Sequence, residues 1–134
     1  EHDENLSELI NALKDCQKGT LLCFSVPKFG LSCLLENLAS ERYARSLDAA
    51  VHVQTFTDQS INFLLQAAGF EKIATWQFGQ DALELTRLLI PKDSNFIGCK
   101  EIHKRLTSSL DRIQESIDRS NLSDQCHLIA KKAF

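Results

Sequence analysis

The sequence predicts a single α+β domain, mostly helical, in which the helices pack against a small antiparallel β-sheet. Its 134 residues are the usual length of one domain, and 43% of them are apolar. The spacing of apolar residues also changes from a helical period to a two-residue period near residue 72. Because the chain begins at Glu1 and contains no methionine, we expect residues 1–134 to be one domain excised from a longer protein.

Composition narrows the classes of partner. A net charge of −3 offers no basic field for phosphate backbones, so we expect no nucleic-acid partner. The five cysteines are odd in number and have no C-x-x-C spacing, which favours free thiols in a reducing compartment over a disulfide framework or a metal site. No apolar run approaches the roughly 20 residues of a membrane helix. We therefore expect no metal, no cofactor and no membrane partner.

The first part of the chain predicts two helices joined by an apolar stretch. A helix from about Leu6 to Gln17 has apolar residues at helical spacing. Residues Thr20–Val26 are either a short buried helix or an extended segment, and Pro27 ends them because the residue before proline avoids the helical region. A second helix is expected from about Lys28 to Ala39.

The middle of the chain contains the helix with the clearest limits. Residues 40–48 lose the helical period, so they predict a turn or a short strand near Ala44, and Asp48 suits the N-cap of a short helix from Ala49 to about Thr55. The next helix has Thr57 as its N-cap. It ends at Gly69, where left-handed geometry costs glycine little.

A β-hairpin is predicted to follow. Lys72–Phe78 has the composition of a strand, and Leu83–Ile90 predicts a second strand because leucines alternate with polar residues, with residues 79–82 as the turn. Since a hairpin alone is marginal in water, it needs the helices or a third strand, for which the segment near Ala44 is the candidate.

The last part of the chain predicts a long helix that starts at Ser94 or Asn95. Apolar residues from Cys99 to Ile117 lie three and four apart, which is close to a coiled-coil seam. Residues Asn121–Phe134 predict a further short helix.

One local run resembles a known family. Residues Ile61–Lys72 (INFLLQAAGFEK) are similar to the central helix of PUB domains, also called PUG domains, in which an apolar helix ends in Gly-Phe before a short hairpin. Leu34–Leu38 and Glu41–Tyr43 resemble the family's helix with a late Asn and its Lys-Tyr-Arg type segment. The resemblance covers about residues 28–90, and it implies a PUB-like fold.

The family implies a function. PUB domains occur in cytoplasmic peptide N-glycanase, UBX-type adaptors and a linear-ubiquitin ligase subunit, where they bind short linear peptides and do not catalyse. Their main ligand is the C-terminal tail of the valosin-containing AAA ATPase. The resemblance therefore implies a non-enzymatic adaptor of ubiquitin-dependent protein quality control, located in the cytoplasm or nucleocytoplasm.

The resemblance also implies a peptide site. Asn37 matches the family's first peptide-contacting Asn, Tyr43 its aromatic residue, and Arg45 a basic residue that faces acidic groups, although Tyr43 and Arg45 cannot both be matched without a gap. The pair Gly69 and Phe70 matches the wall of the pocket. Asp48 stands at the position of the second, hallmark Asn. Because an ionised Asp only accepts hydrogen bonds and repels an acidic tail, we expect weak or altered tail binding.

Two alternatives stay open. The seam from Cys99 to Ile117 would let the domain pair with a partner helix or dimerise, although it spans fewer heptads than the three to four of a stable coiled coil, which favours packing within a monomer. Cys99 and His103 share a helical face, and Cys126 and His127 are adjacent. A cysteine nucleophile needs a lowered pKa and an oriented base, and an apolar stripe supplies neither, so we expect no enzyme.

Overall fold

The computed structural model describes residues 5–38, 52–89 and 97–134, and it confirms the α+β class. Within these ranges six helices accompany one three-stranded antiparallel sheet. In chain order the elements are α1 (Leu6–Lys14), β1 (Leu21–Pro27), α2 (Leu31–Leu38), α3 (Asp58–Ala67), β2 (Phe70–Phe78), α4 (Asp81–Leu89), α5 (Ile97–Thr107), α6 (Leu110–Arg119) and β3 (Gln125–Lys132). No helix in these ranges has both the length and the apolarity to cross a bilayer.

The sheet has the order β1-β3-β2, with the last strand of the chain in the centre. Strand β3 is antiparallel to both neighbours, so that Leu128 lies opposite Phe24 on one side and Thr75 on the other. Strands β1 and β2 are therefore parallel to each other, and the segment with α2 and α3 connects them. Among the described strands, both outer ones are edges of this sheet.

One face of the sheet carries the core. In β3 the residues Cys126, Leu128 and Ala130 are buried, whereas the intervening His127 and Ile129 are exposed, as a strand covered on one face requires. The buried face packs against α3 and against the partly buried residues of α1 and β1.

Helix α3 has the predicted limits. Thr57 is its N-cap, and its hydroxyl accepts a 3.1 Å hydrogen bond from the Ser60 N–H, while the Ser60 hydroxyl accepts one of 2.9 Å from the Thr57 N–H. Gly69 follows the helix with a φ of +77°, the left-handed conformation expected there. Strand β2 starts at the next residue, which confirms a strand in the region predicted as Lys72–Phe78.

The predicted hairpin is wrong, because residues 83–89 of the predicted strand Leu83–Ile90 lie in helix α4, and Ile90 lies outside the described residues. A few alternating leucines also fit a helical face, and Ala, Leu, Glu and Arg are good helix formers. A side chain of another helix stabilises the start of α4, because the Ala82 N–H donates a 2.9 Å hydrogen bond to Gln114 Oε1 of α6.

The predicted C-terminal helix over Asn121–Phe134 is also wrong, since this segment forms β3. Pairing with a strand on each side overrides the local preference of the segment. The ambiguous stretch Thr20–Val26 is resolved as extended, because it forms β1 and pairs with β3 along seven residues.

The predicted long helix is divided into α5 and α6, so a continuous seam from Cys99 to Ile117 is wrong as a single helix. The break falls at Ser108 and Ser109, where the Ser108 hydroxyl donates a 2.8 Å hydrogen bond to the Arg105 carbonyl. Serine side chains that bond to the backbone compete with helical hydrogen bonds.

The segment between α2 and α3 is described only in part. Residues 52–55 are not helical, so the helix predicted from Ala49 to Thr55 is wrong over this part, in which β-branched Val53 and Thr55 lower helix propensity. Phe56 forms a parallel bridge to Lys28 at the end of β1. The candidate strand near Ala44 lies outside the described residues.

Candidate functional site: the free edge of β1

The structure describes three of the six residues of the predicted peptide site, Asn37, Gly69 and Phe70. Tyr43, Arg45 and Asp48 lie outside the described residues. Asn37 is exposed near the end of α2, a helix that begins where the Leu31 N–H donates a 2.7 Å hydrogen bond to the Leu122 carbonyl, beside the start of β3. That point is at the Phe78 end of β2. Gly69 and Phe70 lie at the opposite end of the same strand, about 26 Å away at ~3.3 Å per residue.

Phe70 is part of the core. Its side chain is 1% exposed, and the ammonium of Lys132 lies 5.2 Å from the ring centroid. A methyl group on Gly69 would come within 2.6 Å of the Phe134 carbonyl oxygen. The backbone of Phe134 therefore covers the Gly69 Cα, and no space for a ligand remains there. The Phe70 ring has almost no accessible surface to offer a ligand.

The two edges of the sheet differ in their protection against pairing. Strand β2 has a register shift between Lys72 and Ala74 and carries the charges of Glu71 and Lys72, features that discourage a further strand. Strand β1 (LLCFSVP) has no charged residue, and its register with β3 is regular throughout. The edge of β1 is therefore the one suited to pairing.

Backbone groups of β1 alternate between β3 and the free edge. The Lys28 N–H donates a 2.7 Å hydrogen bond to the Asp124 carbonyl, and the Thr20 carbonyl accepts one of 2.8 Å from the Lys132 N–H. The backbone N–H and C=O groups of even-numbered β1 residues therefore point towards β3. The N–H and C=O groups of Leu21, Cys23 and Ser25 consequently point to the other side. The sheet order places no strand of the described chain there.

The far end of this edge is already paired. The Pro27 carbonyl accepts a 3.0 Å hydrogen bond from the Phe56 N–H, and the Phe29 N–H donates one of 2.7 Å to the Phe56 carbonyl. Pro27 lacks an N–H, which fits its place on an edge. Among the described residues, the part of this edge that has no strand partner is thus residues 21–25.

An apolar cleft of about 240 Å³ lies beside this edge, between α1, β1 and α3. Its lining includes Leu9 and Ile10 of α1, Phe24 of β1 and Leu64 of α3. Ser25 also borders the cleft although its side chain belongs to the opposite face, so the cleft extends to the strand edge. Helix α1 buries none of its residues fully, and Leu9 is 48% exposed.

The other face of the sheet is open and partly apolar. Trp76 is 68% exposed, and Leu21 and Ile129 are exposed on the same face of the sheet. The His127 ring stacks on Phe78 with centroids 4.3 Å apart. Strand β1 therefore has apolar residues on both of its faces. This pattern is typical of a strand that is covered on both faces.

Ser25 and His127 form a hydrogen-bonded pair on the open face, through the serine hydroxyl and His127 Nδ1. A nucleophile and base of this kind also need a third group to orient the base, and no carboxylate of the described chain bonds to His127. Among the described residues the pair therefore has no third group of the kind that a catalytic triad needs.

The described residues include no group of three or more His, Cys, Asp or Glu side chains placed to hold a metal ion. No protein-family model matches the chain, and no curated protein matches it either.

Proposed function

We propose that this chain is a protein-interaction domain that binds an extended segment of another protein as a fourth strand beside β1. The observation that carries the proposal is the uncharged, regular edge of β1, which directs the N–H and C=O groups of Leu21, Cys23 and Ser25 away from β3. Addition of a strand to a sheet edge is a common mode of peptide recognition, in which backbone hydrogen bonds supply affinity.

An unprotected edge is a liability that folded proteins manage. Long edge strands usually carry charges, bulges or prolines that prevent pairing with other chains, as β2 does. Strand β1 has only Pro27, at the end that Phe56 already covers. A binding role for residues 21–25 explains why the rest of the edge lacks such protection.

Backbone pairing alone gives limited affinity. Six donor and acceptor groups at Leu21, Cys23 and Ser25 allow up to six hydrogen bonds, each worth about 1 kcal/mol net. Association costs on the order of 4–15 kcal/mol, so side-chain burial must contribute as well. The apolar cleft on one side of β1 and the open face on the other supply surfaces for that burial.

A second candidate is the acidic C-terminal tail of the valosin-containing AAA ATPase, which the PUB resemblance implies. A shallow cleft of about 320 Å³ lies at the Lys132 end of β3, and the charged residues of its lining are Lys18, Lys131, Lys132 and a single acidic residue, Glu71. Its excess of positive charge suits an acidic peptide. In this candidate the domain is an adaptor in ubiquitin-dependent protein quality control.

The test removes one N–H from each edge. Cys23→Pro deletes a donor on the free edge of β1. Thr75→Pro is the matched control. In the register of β2 with β3 the backbone N–H of Trp76 points towards β3, so the backbone N–H of Thr75 points to the free edge of β2. The probe is a capped eight-residue peptide of alternating valine and threonine with a neutral polyethylene glycol tail, titrated into the labelled domain.

Strand addition predicts that the peptide slows amide exchange at Leu21, Cys23 and Ser25 in the wild type and in Thr75→Pro. Cys23→Pro loses binding and keeps a native circular dichroism spectrum. Amide exchange in the unmodified domain needs no variant. If the peptide leaves exchange at these three residues unchanged, strand addition is disproved.

The acidic tail is titrated separately. If the tail is the ligand, it shifts the resonances of Lys18 and Lys131, and Lys131→Glu weakens its binding while Cys23→Pro does not. If the tail binds without shifting the resonances of these two lysines, the shallow cleft that they line is not its binding site.

A further inference from the structure

We infer that the cleft between α1 and β1 binds side chains of the added strand. It thereby selects an uncharged segment with apolar residues at every second position. This inference rests on the strand addition proposed above. It assigns specificity to the cleft and affinity to the backbone of β1.

Strand geometry sends alternate side chains of an added segment to opposite faces. On β1 the residues Leu22, Phe24 and Val26 lie on the side of α1 and line the cleft, whereas Leu21 and Cys23 lie on the open face. Every second side chain of a neighbouring strand therefore points to the side of the sheet on which the cleft lies.

The size of the cleft limits what can enter. An apolar cavity of about 150 Å³ holds a benzene-sized group. At about 240 Å³, the cleft has room for one aromatic side chain or a pair of branched aliphatic ones.

The chemistry of the cleft excludes charge. Its lining residues are uncharged, and Ser25 alone among them is polar. A carboxylate or ammonium that enters would lose its hydration and find no ion partner. The match in charge is therefore to a neutral, apolar segment.

Helix α1 provides the outer wall of the cleft. It buries no residue fully, and Leu9 is 48% exposed. Its C-terminal end is anchored, because the Lys132 ammonium donates hydrogen bonds of 3.2 and 3.0 Å to the Leu13 and Lys14 carbonyls. Apolar side chains between α1 and β1 would bury Leu9 and Ile10, so the helix gains contacts when the strand binds.

The test compares three peptides on the full domain. The first alternates valine and threonine, the second has serine in place of every valine, and the third has one central valine changed to aspartate. We expect the serine peptide to bind at least tenfold more weakly than the first, and the aspartate peptide to be weakened as strongly by its single change.

Protein variants locate the effect. Leu9→Ala should weaken the valine peptide roughly fivefold, because about half a leucine side chain is newly buried in the complex. Leu34→Ala on α2 is the matched control, since Leu34 is 50% exposed and lies outside the cleft. Its affinity should equal that of the wild type.

Two failures are distinguishable. If all three peptides bind equally and slow amide exchange at Cys23, strand addition stands and selection by the cleft is overturned. Equal weakening by Leu9→Ala and Leu34→Ala also overturns it. If no peptide slows exchange at Cys23, the proposed function itself fails.

Discussion

Lys28 and Asp58 join the end of β1 to the first residue of α3, with 3.1 Å between Lys28 Nζ and Asp58 Oδ1. The same ammonium donates hydrogen bonds of 3.3 Å to Gln77 Oε1 and 2.6 Å to Asn121 Oδ1. An ammonium has three donors, and all three are used here. The Lys28 side chain is only 3% exposed, so this buried cation connects four segments of the chain.

Lys28→Met should destabilise the domain by about 2 kcal/mol, because it keeps the aliphatic stem but removes the charge-assisted hydrogen bonds of the buried ammonium to Asp58, Gln77 and Asn121. Urea unfolding measures the change. Lys18→Met, at an exposed lysine, is the control and should be neutral. Equal midpoints for Lys28→Met and the wild type would contradict the prediction.

Stability should depend on the charge of Asp58. Partial burial opposes this charge, but hydrogen bonds from Asn121 and Lys28 and the charge of Lys28 outweigh it, so the pKa of Asp58 lies below its ordinary value of 3.8. A lowered pKa in the folded state gives stability that is present above pH 3.8 and is lost as the pH falls through the folded pKa.

The measurement is urea unfolding of the wild type and of Asp58→Asn from neutral pH to below 3.8. The wild type should be the more stable of the two at neutral pH, and the difference should shrink at the acid end. A difference that stays constant across this range would show that Asp58 makes no pH-dependent contribution.

Lys132→Met should loosen α1. The Lys132 ammonium also donates a 2.6 Å hydrogen bond to the Ala68 carbonyl, so it bonds to the carbonyls at the ends of both α1 and α3. Losing these charge-assisted bonds should cost ~2–3 kcal/mol. Hydrogen exchange should become faster first in α1.

The control for this variant is the exposed neighbour Lys131, because Lys131→Met removes the same charge and no bond to either helix. If both variants exchange alike in α1, the ammonium of Lys132 does not hold that helix.

Gly69→Ala should destabilise the domain more than Gly19→Ala. Both glycines have positive φ, +77° and +91°, so each alanine costs roughly 1–2 kcal/mol in backbone strain. Only at Gly69 does the new methyl meet the Phe134 carbonyl oxygen, at 2.6 Å, while at Gly19 nothing lies within 4 Å. Thermal unfolding of the pair isolates the steric part, and equal melting temperatures would rule out the contact with Phe134.

Local signals predicted the elements whose ends are capped within the chain itself. Helix α3 begins after Thr57 and ends before Gly69, because the N-cap hydroxyl and the left-handed glycine act on neighbouring backbone groups. Strand β2 follows for the same reason, since its β-branched and aromatic residues start directly after that stop.

Long-range pairing decided the elements that were predicted wrongly. Residues 125–132 become the central strand because β1 and β2 each offer a partner, and this pairing overrides the local preference of the segment. Leucines at residues 83–89 alternate over too few positions to separate a strand from a helix, and contact with α6 at Gln114 settles the helix.

The sequence by itself determined the α+β class, the limits of α3 and the absence of charge along β1, because these depend on composition and on neighbours within a few residues. Only the tertiary structure decided that Phe70 is buried, that Leu21, Cys23 and Ser25 face an edge with no strand partner among the described residues, and that α1 leaves a cleft beside them. The physical reason is that the position of a strand in its sheet depends on which strands pair with one another. The residues of the strand itself do not specify that pairing.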